Sequence, residues 1–232
     1  MRNIKEQERP RKHRRRRVIT FGDSTTATRP TIERVYAQRL ASKLQTADIG
    51  ADIINEGVPG SHTGSITDNA RHKGSHGSDR FEKNVLGMDP DVVIICFGLN
   101  DSWVDGDSSK DNSRVPLAAY SRNIRYFVES LEERKVRVIL MTPNAIGSRF
   151  ETWRFERVSN YAEAIREIAQ EKAVPLVDVW NMFLDYAATS DNDVDDLMLD
   201  SMHPNDKAHE MIAERLTAII ADLWRTPSSF LR

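Results

Sequence analysis

Short apolar runs alternate along most of this chain with longer segments of helical periodicity. Several of the runs are uninterrupted, as expected of strands that are buried on both faces of a sheet. The alternation predicts an α/β domain in which helices cover both faces of a parallel sheet. Five runs are predicted as strands, at residues 17–21, 52–55, 91–97, 136–142 and 174–179.

The segments between these runs carry apolar residues at the three- and four-residue spacing of amphipathic helices. Pro204 suits the first turn of the final helix. The predicted helices are marked by Ile32, Val35, Tyr36, Leu40 and Leu44; by Ile124, Phe127, Val128 and Leu131; by Tyr161, Ile165, Ile168 and Ala169; and by Met211, Ile212, Leu216, Ile219, Ile220 and Leu223.

Two segments lack either periodicity and are predicted to be loops. Segment 61–80 is rich in Gly, Ser and His, and segment 102–116 is rich in Asp, Ser and Asn. Each comes after a predicted strand. Because ligands bind outside the carboxyl ends of the strands in open α/β sheets, we expect these loops to form the walls of a site.

Composition indicates one soluble domain. The chain has 232 residues, of which 39% are hydrophobic and 29% charged, and no apolar run approaches the roughly 20 residues that a membrane span requires. The single cysteine, Cys96, excludes an internal disulfide and lies in a predicted core strand. The charged start of the chain has no long apolar stretch behind it, so we expect a cytoplasmic protein, with export left open.

The net charge of -2 hides an asymmetry between the two parts of the chain. Residues 1–17 carry nine Arg or Lys and two Glu, which is +7, and this leaves -9 for residues 18–232. We therefore predict a basic, disordered arm at residues 1–16 and a domain at residues 17–232. A solvated leader is the favoured interpretation of the arm. The alternative is a segment that binds nucleic acid or an anionic surface.

A serine nucleophile is predicted where the first strand ends, in the sequence Gly22-Asp23-Ser24. Gly22 would allow the tight turn that presents the serine hydroxyl. A serine needs a base within hydrogen-bond reach and a group that orients the base. Asp200 and His203 offer both roles, because their spacing lets one turn of backbone place a carboxylate beside an imidazole. Proline after His203 places the pair on a loop before the last helix.

Acyl transfer also needs hydrogen-bond donors directed at the oxyanion. The segment 55–60 follows the second predicted strand, and Gly60 could expose a backbone N–H there. Gly57 is the rival for this role. After the third strand, the side-chain amide of Asn100 is a neutral donor. Together with the backbone N–H of Ser24, these groups make three candidate donors.

Four sequence blocks occur in the order GDS, N-x-G-x-x-G, G-x-N-D and D-x-x-H-P, at residues 22–24, 55–60, 98–101 and 200–204. In this order they resemble the blocks of the SGNH hydrolase superfamily, which includes the GDSL-like lipases, acylhydrolases and esterases. The resemblance implies a flavodoxin-like α/β/α sandwich with a five-stranded parallel sheet in the order 2-1-3-4-5. It also implies the same triad and the same three oxyanion donors.

Further residues near these blocks are candidates for substrate binding. Asp101, Trp103 and His62 are named for this role, although a structural role in the loop backbone is favoured for Asp101. His62, His72 and His76 fit no compact ligand set, so we expect solvated loop histidines, no metal and no cofactor.

The sequence thus predicts a carboxylic ester hydrolase that works through an acyl-enzyme. Polar wall loops and the sequence GDST, where the subfamily has GDSL, favour acetyl esters of small molecules or carbohydrates as substrates. A lipase, a thioesterase or an acyltransferase with the same triad is the alternative. Nucleic acid is disfavoured as a partner, and the sequence leaves the oligomeric state open.

Overall fold

Five parallel strands form the centre of the molecule, in the order β2-β1-β3-β4-β5. The computed structural model describes residues 15–68, 74–106, 108–189 and 191–225. The predicted strand order and the parallel α/β class are confirmed. The strands span Arg16–Gly22 (β1), Ala51–Gly57 (β2), Val92–Cys96 (β3), Arg137–Met141 (β4) and Leu176–Val177 (β5).

Helices connect the strands. They are α1 (Tyr36–Thr46), α2 (Gly77–Asn84), α3 (Leu99–Ser102), α4 (Leu117–Glu133), α5 (Thr152–Glu171), α6 (Val179–Ala187) and α7 (Asp206–Arg225), with 3-10 turns at Leu86–Met88 and Val194–Leu197. Within the described residues, no helix is both long and apolar enough to cross a membrane.

The hydrophobic core has two parts, one on each face of the sheet. In β3, Val92, Ile94 and Cys96 belong to one part, together with residues of α1, α6 and α7. Val93 and Ile95 belong to the other part, together with residues of α2, α4 and α5. Because successive strand residues point to opposite faces, an uninterrupted apolar strand produces a three-layer sandwich.

Several element boundaries differ from those that the sequence predicts. Helix α1 begins only at Tyr36, because Val35 has an extended backbone and lies before the helix, although it is still buried. The predicted fifth strand is reduced to two residues. Its end is set by Asp178, whose carboxylate accepts a hydrogen bond from the backbone N–H of Asn181 and so caps α6. Helix α2 also extends into the predicted loop 61–80.

Most of the predicted basic arm, residues 1–14, lies outside the described residues. Its boundary and its suggested role in binding nucleic acid or an anionic surface therefore stay predictions. Of the two described residues of that arm, Arg16 already pairs with Ala51 of β2 at the start of β1.

Helix α7 holds the start of α1 through hydrogen bonds to its backbone. The backbone N–H of Tyr36 donates to Nδ1 of His209 over 3.2 Å, which satisfies one of the N–H groups that a helix start leaves without a partner. The Asp206 carboxylate accepts from the backbone N–H groups of Glu33 and Arg34, both over 3.2 Å. Burial lowers the pKa of His209 to about 3, so this imidazole is a neutral acceptor.

We expect the stability of the fold to depend on pH through His209. The unfolded chain protonates His209 near its ordinary pKa of 6.5, whereas the folded chain resists protonation down to about pH 3. The contribution of His209 to the free energy of unfolding is therefore full above pH 6.5 and is lost as the pH falls below that value. Glutamine at this position can accept a hydrogen bond but does not titrate.

Urea unfolding of the wild type and of His209→Gln between about pH 7 and pH 4.5 measures this effect. The variant should gain on the wild type by up to about 1.4 kcal/mol for each pH unit below the ordinary pKa. Parallel stability curves for the two proteins would contradict the neutral, buried state of His209.

Candidate active site

Ser24 lies on a tight turn at the carboxyl end of β1. The turn is held by the Asp23 carbonyl, which accepts from the backbone N–H groups of Thr26 and Ala27 over 3.2 and 3.0 Å. The Asp23 N–H in turn donates to the carbonyl of Cys96 on β3 over 3.3 Å. The serine is almost covered, with 8% of its surface exposed. The turn thus fixes the hydroxyl of Ser24 at the carboxyl end of β1.

Gly22 is required here for space and not, as the sequence suggests, for backbone freedom. Among the described glycines, only Gly60 and Gly98 have a positive φ. A Cβ atom on Gly22 would lie 2.5 Å from the carbonyl oxygen of Cys96 and 2.2 Å from Oγ1 of Thr26. The first contact is with the backbone of the neighbouring strand, which cannot move aside without disturbing the sheet.

His203 and Asp200 lie next to Ser24, on the loop between residue 197 and α7. Nε2 of His203 is 3.1 Å from Oγ of Ser24, and Nδ1 of His203 is 2.8 Å from Oδ2 of Asp200. The loop is closed by a hydrogen bond from the Leu199 N–H to the His203 carbonyl, of 2.8 Å. With its Nδ1–H donated to a carboxylate, the imidazole presents an unprotonated Nε2 to the serine hydroxyl.

Asp200 is held in its charged form. Burial raises its pKa, but hydrogen bonds from the His203 ring and from the backbone N–H groups of His203 and Met202 outweigh this effect and lower the pKa below its ordinary value. These two backbone bonds measure 2.8 and 3.1 Å. The same contacts that orient the carboxylate toward the imidazole therefore also keep it ionised.

The second block begins in the last three residues of β2 and continues past its end, and the third block follows β3. Gly60 has a φ of 76° and stands third in a turn that is closed by a hydrogen bond from Ser61 N–H to the Val58 carbonyl, of 3.1 Å. Proline at the second position and glycine with positive φ at the third are typical of a type II turn. Asn100 lies in the short helix α3, and its Nδ2 is 3.4 Å from Oδ2 of Asp23.

Gly57, the rival of Gly60 as an oxyanion donor, has other contacts. Its backbone N–H donates to Oδ1 of Asn55 over 2.9 Å. A Cβ atom on Gly57 would lie 2.3 Å from the backbone nitrogen of Ala27. Gly57 therefore lets β2 approach the turn that carries Ser24 closely, while the N–H of Gly57 already donates to Asn55.

The sequence names Asp101 and His62 as candidates for substrate binding and favours a structural role for Asp101. The structure supports that structural role and leaves neither side chain exposed to a substrate. Both residues are fully buried. Oδ1 of Asp101 accepts from the N–H and the hydroxyl of Thr63 over 2.8 and 2.6 Å, so the carboxylate anchors the loop after β2. Burial raises the pKa of Asp101 to about 7.

His62 and His76 are not solvated, contrary to the sequence prediction. His62 stacks on His76 with ring centroids 3.6 Å apart, and both are buried. Burial first, and then the neighbouring His76, lower the pKa of His62 to about 4. His72 lies outside the described residues. Among those that are described, no group of three or more His, Cys, Asp or Glu could hold a metal ion.

Trp103 is half-buried beside the third block. Its ring packs edge-on against Phe150, with centroids 5.7 Å apart, and the guanidinium of Arg154 lies 4.5 Å from its centroid. A role for Trp103 in substrate binding stays a prediction.

Sequence reasoning missed several polar residues that hold the site together. Arg29 donates to the Ser24 carbonyl over 2.9 Å. Asn144 donates from its side chain to the Met202 carbonyl over 2.9 Å, beside His203. Arg80 donates to the Gly22 carbonyl over 2.6 Å and lies 4.4 Å from the ring centroid of Phe21. None belongs to a recognisable motif, and only their position in segments that flank the predicted site could have drawn attention to them.

The protein has a parallel sheet in the order 2-1-3-4-5. At the carboxyl ends of its strands, a serine is hydrogen-bonded to a histidine, which is hydrogen-bonded to an aspartate. This arrangement is typical of serine hydrolases. Residues 20–211 match the GDSL-like Lipase/Acylhydrolase family. The chain belongs to this family, and it is an esterase of the GDSL-like, or SGNH, type.

Known relatives include both esterases and a protein without an assigned activity. An uncharacterized lipoprotein, YqeF, of Bacillus subtilis is 30% identical over 189 residues, which cover 72% of each chain. An acetylxylan esterase of Geobacillus stearothermophilus is 24% identical over 178 residues, covering 76% of this chain and 75% of the relative. A human isoamyl acetate-hydrolyzing esterase 1 homolog is 26% identical over 221 residues, covering 88% and 81%.

Solved structures show the same fold. The crystal structure of a lipase/acylhydrolase from Enterococcus faecalis superposes with a TM-score of 0.72 at 23% identity. The superposition covers 90% of this chain and 96% of that one.

The space requirement at Gly22 is testable by substitution. Gly22→Ala should lower the free energy of unfolding by about 1–3 kcal/mol, because overpacking forces the backbone apart, and it should lower esterase activity by displacing Ser24. Gly50→Ala is the matched control, since a Cβ atom there meets nothing within 4 Å. Urea unfolding and ester hydrolysis are measured on both variants. Equal free energies of unfolding for Gly22→Ala and Gly50→Ala would show that a Cβ atom fits between β1 and β3.

Proposed function

We propose that this esterase works through an acyl-enzyme in which Ser24 is the nucleophile, His203 the general base and acid, and Asp200 the group that orients and stabilises the imidazolium. The observation that carries the proposal is the continuous path of hydrogen bonds from Oγ of Ser24 through the His203 ring to Asp200, with distances of 3.1 and 2.8 Å. The three groups stand in the order that nucleophilic catalysis by serine requires.

The reaction then runs in two halves. Oγ of Ser24 attacks the ester carbonyl carbon while its proton passes to Nε2 of His203. The tetrahedral intermediate collapses, and the departing alcohol takes the proton from Nε2. A water molecule then attacks the acyl-enzyme and gives a proton to Nε2. The bond between the acyl carbon and Oγ of Ser24 then breaks, and Oγ takes the proton from Nε2. The carboxylic acid leaves, and the enzyme is regenerated.

Three donors are proposed for the oxyanion: the backbone N–H groups of Ser24 and Gly60 and the side-chain amide of Asn100. The engagement of the Gly57 N–H with Asn55 supports Gly60 over Gly57. The contact of Asn100 with Asp23, directly before the nucleophile, supports its assignment. Loss of one such donor typically costs about 3 kcal/mol of transition-state stabilisation.

Acetyl esters, including those of carbohydrates, are the substrates that we propose. Two relatives have names that refer to acetate esters: an acetylxylan esterase and an isoamyl acetate-hydrolyzing esterase homolog. The polar composition of segment 102–116 also favours a polar substrate over a long acyl chain. A cytoplasmic location stays a prediction, and one relative is a named lipoprotein.

The mechanism predicts that Ser24→Ala abolishes hydrolysis of p-nitrophenyl acetate, because in the described part of the chain no other hydroxyl is hydrogen-bonded to His203. Loss of the nucleophile should reduce kcat by at least about 10³-fold while the urea unfolding midpoint stays close to that of the wild type. Ser42→Ala, at an exposed serine of α1, is the matched control and should keep full activity. Substantial activity of Ser24→Ala would refute the assignment.

The substrate class is tested with a series of p-nitrophenyl esters from acetate to palmitate, beside acetylated xylo-oligosaccharides. We expect kcat/KM to be highest for acetate and at least about 10-fold lower for palmitate. A preference for palmitate would indicate a lipase or thioesterase. Transfer of the acetyl group to an added alcohol, without net hydrolysis, would indicate an acyltransferase that uses the same residues.

A further inference from the structure

The loop between α3 and α4 brings an arginine against the Asn100 side chain. Nη1 of Arg114 donates to Oδ1 of Asn100 over 3.2 Å. The rest of the same guanidinium forms a fork on Asp105, with Nε 3.1 and 3.2 Å from the two carboxylate oxygens and Nη2 2.7 Å from Oδ1. Both side chains are largely covered, at 10% exposure for Arg114 and 20% for Asp105.

The backbone of Arg114 is fixed as well. Its N–H donates to the Trp103 carbonyl over 2.8 Å, and the N–H of Val115 donates to the Asp101 carbonyl over 3.1 Å. The arginine is therefore tied at its backbone to the residues that directly follow Asn100. A guanidinium fixed at both ends loses little additional freedom when it holds one more acceptor.

These contacts determine which way the Asn100 amide faces. An arginine can only donate hydrogen bonds, so the atom next to it must be the amide oxygen. On its other side, the amide nitrogen of Asn100 donates to Oδ2 of Asp23 over 3.4 Å. The opposite orientation would place an N–H group against the guanidinium and an oxygen against the carboxylate. The amide consequently keeps its NH₂ group on the side of the nucleophile turn.

We propose that Arg114, held by Asp105, is a positioning residue that keeps the NH₂ group of Asn100 directed at the oxyanion. One hydrogen of this group faces Asp23, and the second is left to stabilise the transition state. Without Arg114 the amide can rotate and present its oxygen, which repels the oxyanion instead of stabilising it. The proposal rests on the proposed function, because it gives Arg114 a role only through Asn100.

The test combines Arg114→Met with Asn100→Ala. Arg114→Met should lower kcat for p-nitrophenyl acetate by about 10- to 100-fold, and KM should change by less than about twofold, because an oxyanion donor acts in the transition state and not on bound substrate. Asn100→Ala should lower kcat at least as far. In the Asn100→Ala background, Arg114→Met should lower kcat no further, since the amide that it positions is gone.

Conservative variants and a matched control complete the experiment. Asp105→Asn should lower kcat in the same direction by a smaller factor, and Arg114→Lys should restore part of the rate lost in Arg114→Met, because an ammonium can donate to Oδ1 but cannot form the fork. Arg125→Met removes another arginine that bonds a carboxylate, Glu171 on α5, and should leave kcat unchanged. If Arg114→Met does not fold, Asp105→Asn is measured in the wild type and in Asn100→Ala, and it gives the same comparison.

Several outcomes would overturn the proposal. They are an unchanged kcat in Arg114→Met, an increase in KM alone, or an equal loss of kcat in both Asn100 backgrounds, which would indicate a general structural role. An unaffected Asn100→Ala would overturn it as well. Failure of the proposed function is recognised separately, because it would appear as activity retained in Ser24→Ala.

Discussion

The packing of the first helix against the last determines where the proposed catalytic residues meet. Ser24 and His203 are 179 residues apart in the chain, yet their side chains lie 3.1 Å apart. The loop that carries His203 leads directly into α7, and the start of α7 is joined to the start of α1 by Asp206 and His209. Since α1 follows the turn that carries Ser24, each half of the candidate site is fixed to one of two helices that are tied together. A neutral His209 is part of this connection, so the geometry of the site depends on a buried imidazole that stays uncharged.

The polar groups around the site act mainly by holding backbone. Arg80, Arg29 and Asn144 each donate to a backbone carbonyl in or beside a segment of the candidate site, and Asp101 accepts from the loop after β2. Turns at strand ends leave carbonyl and N–H groups without partners in the sheet, and buried groups of this kind must be satisfied elsewhere. Side chains that satisfy them also fix the turns, so stability and the precision of the site have the same origin.

Much of the architecture could be predicted from the sequence, because strands buried on both faces are readable as uninterrupted apolar runs. The strand order came only through the resemblance to a known family. The short fifth strand was not predictable from apolarity, since the capping bond of Asp178 ends it. Ser24, Asp200, His203, Gly60 and Asn100 were proposed as site residues from their spacing in ordered blocks, and the first three are linked by hydrogen bonds through the His203 ring.

Other residues could not be assigned correctly from sequence, for physical reasons. In the sequence, Gly22 suggests a turn that needs backbone freedom. Only the position of the Cys96 carbonyl shows that a Cβ atom at residue 22 would have no space. His62 lies in a segment rich in Gly, Ser and His that suggests exposure, yet its side chain is fully buried. Arg114 belongs to no motif, because its role depends on where a loop returns in three dimensions.

The proposed mechanism requires that Ser24 alone carries the acyl group during turnover. An alkyl fluorophosphonate tests it directly, because an activated serine displaces fluoride and keeps the phosphonyl group. Intact mass spectrometry followed by peptide mapping should find one adduct per chain, on Ser24, with loss of esterase activity in proportion to labelling. Labelling of a different residue, or full activity in a chain labelled on Ser24, would contradict the account.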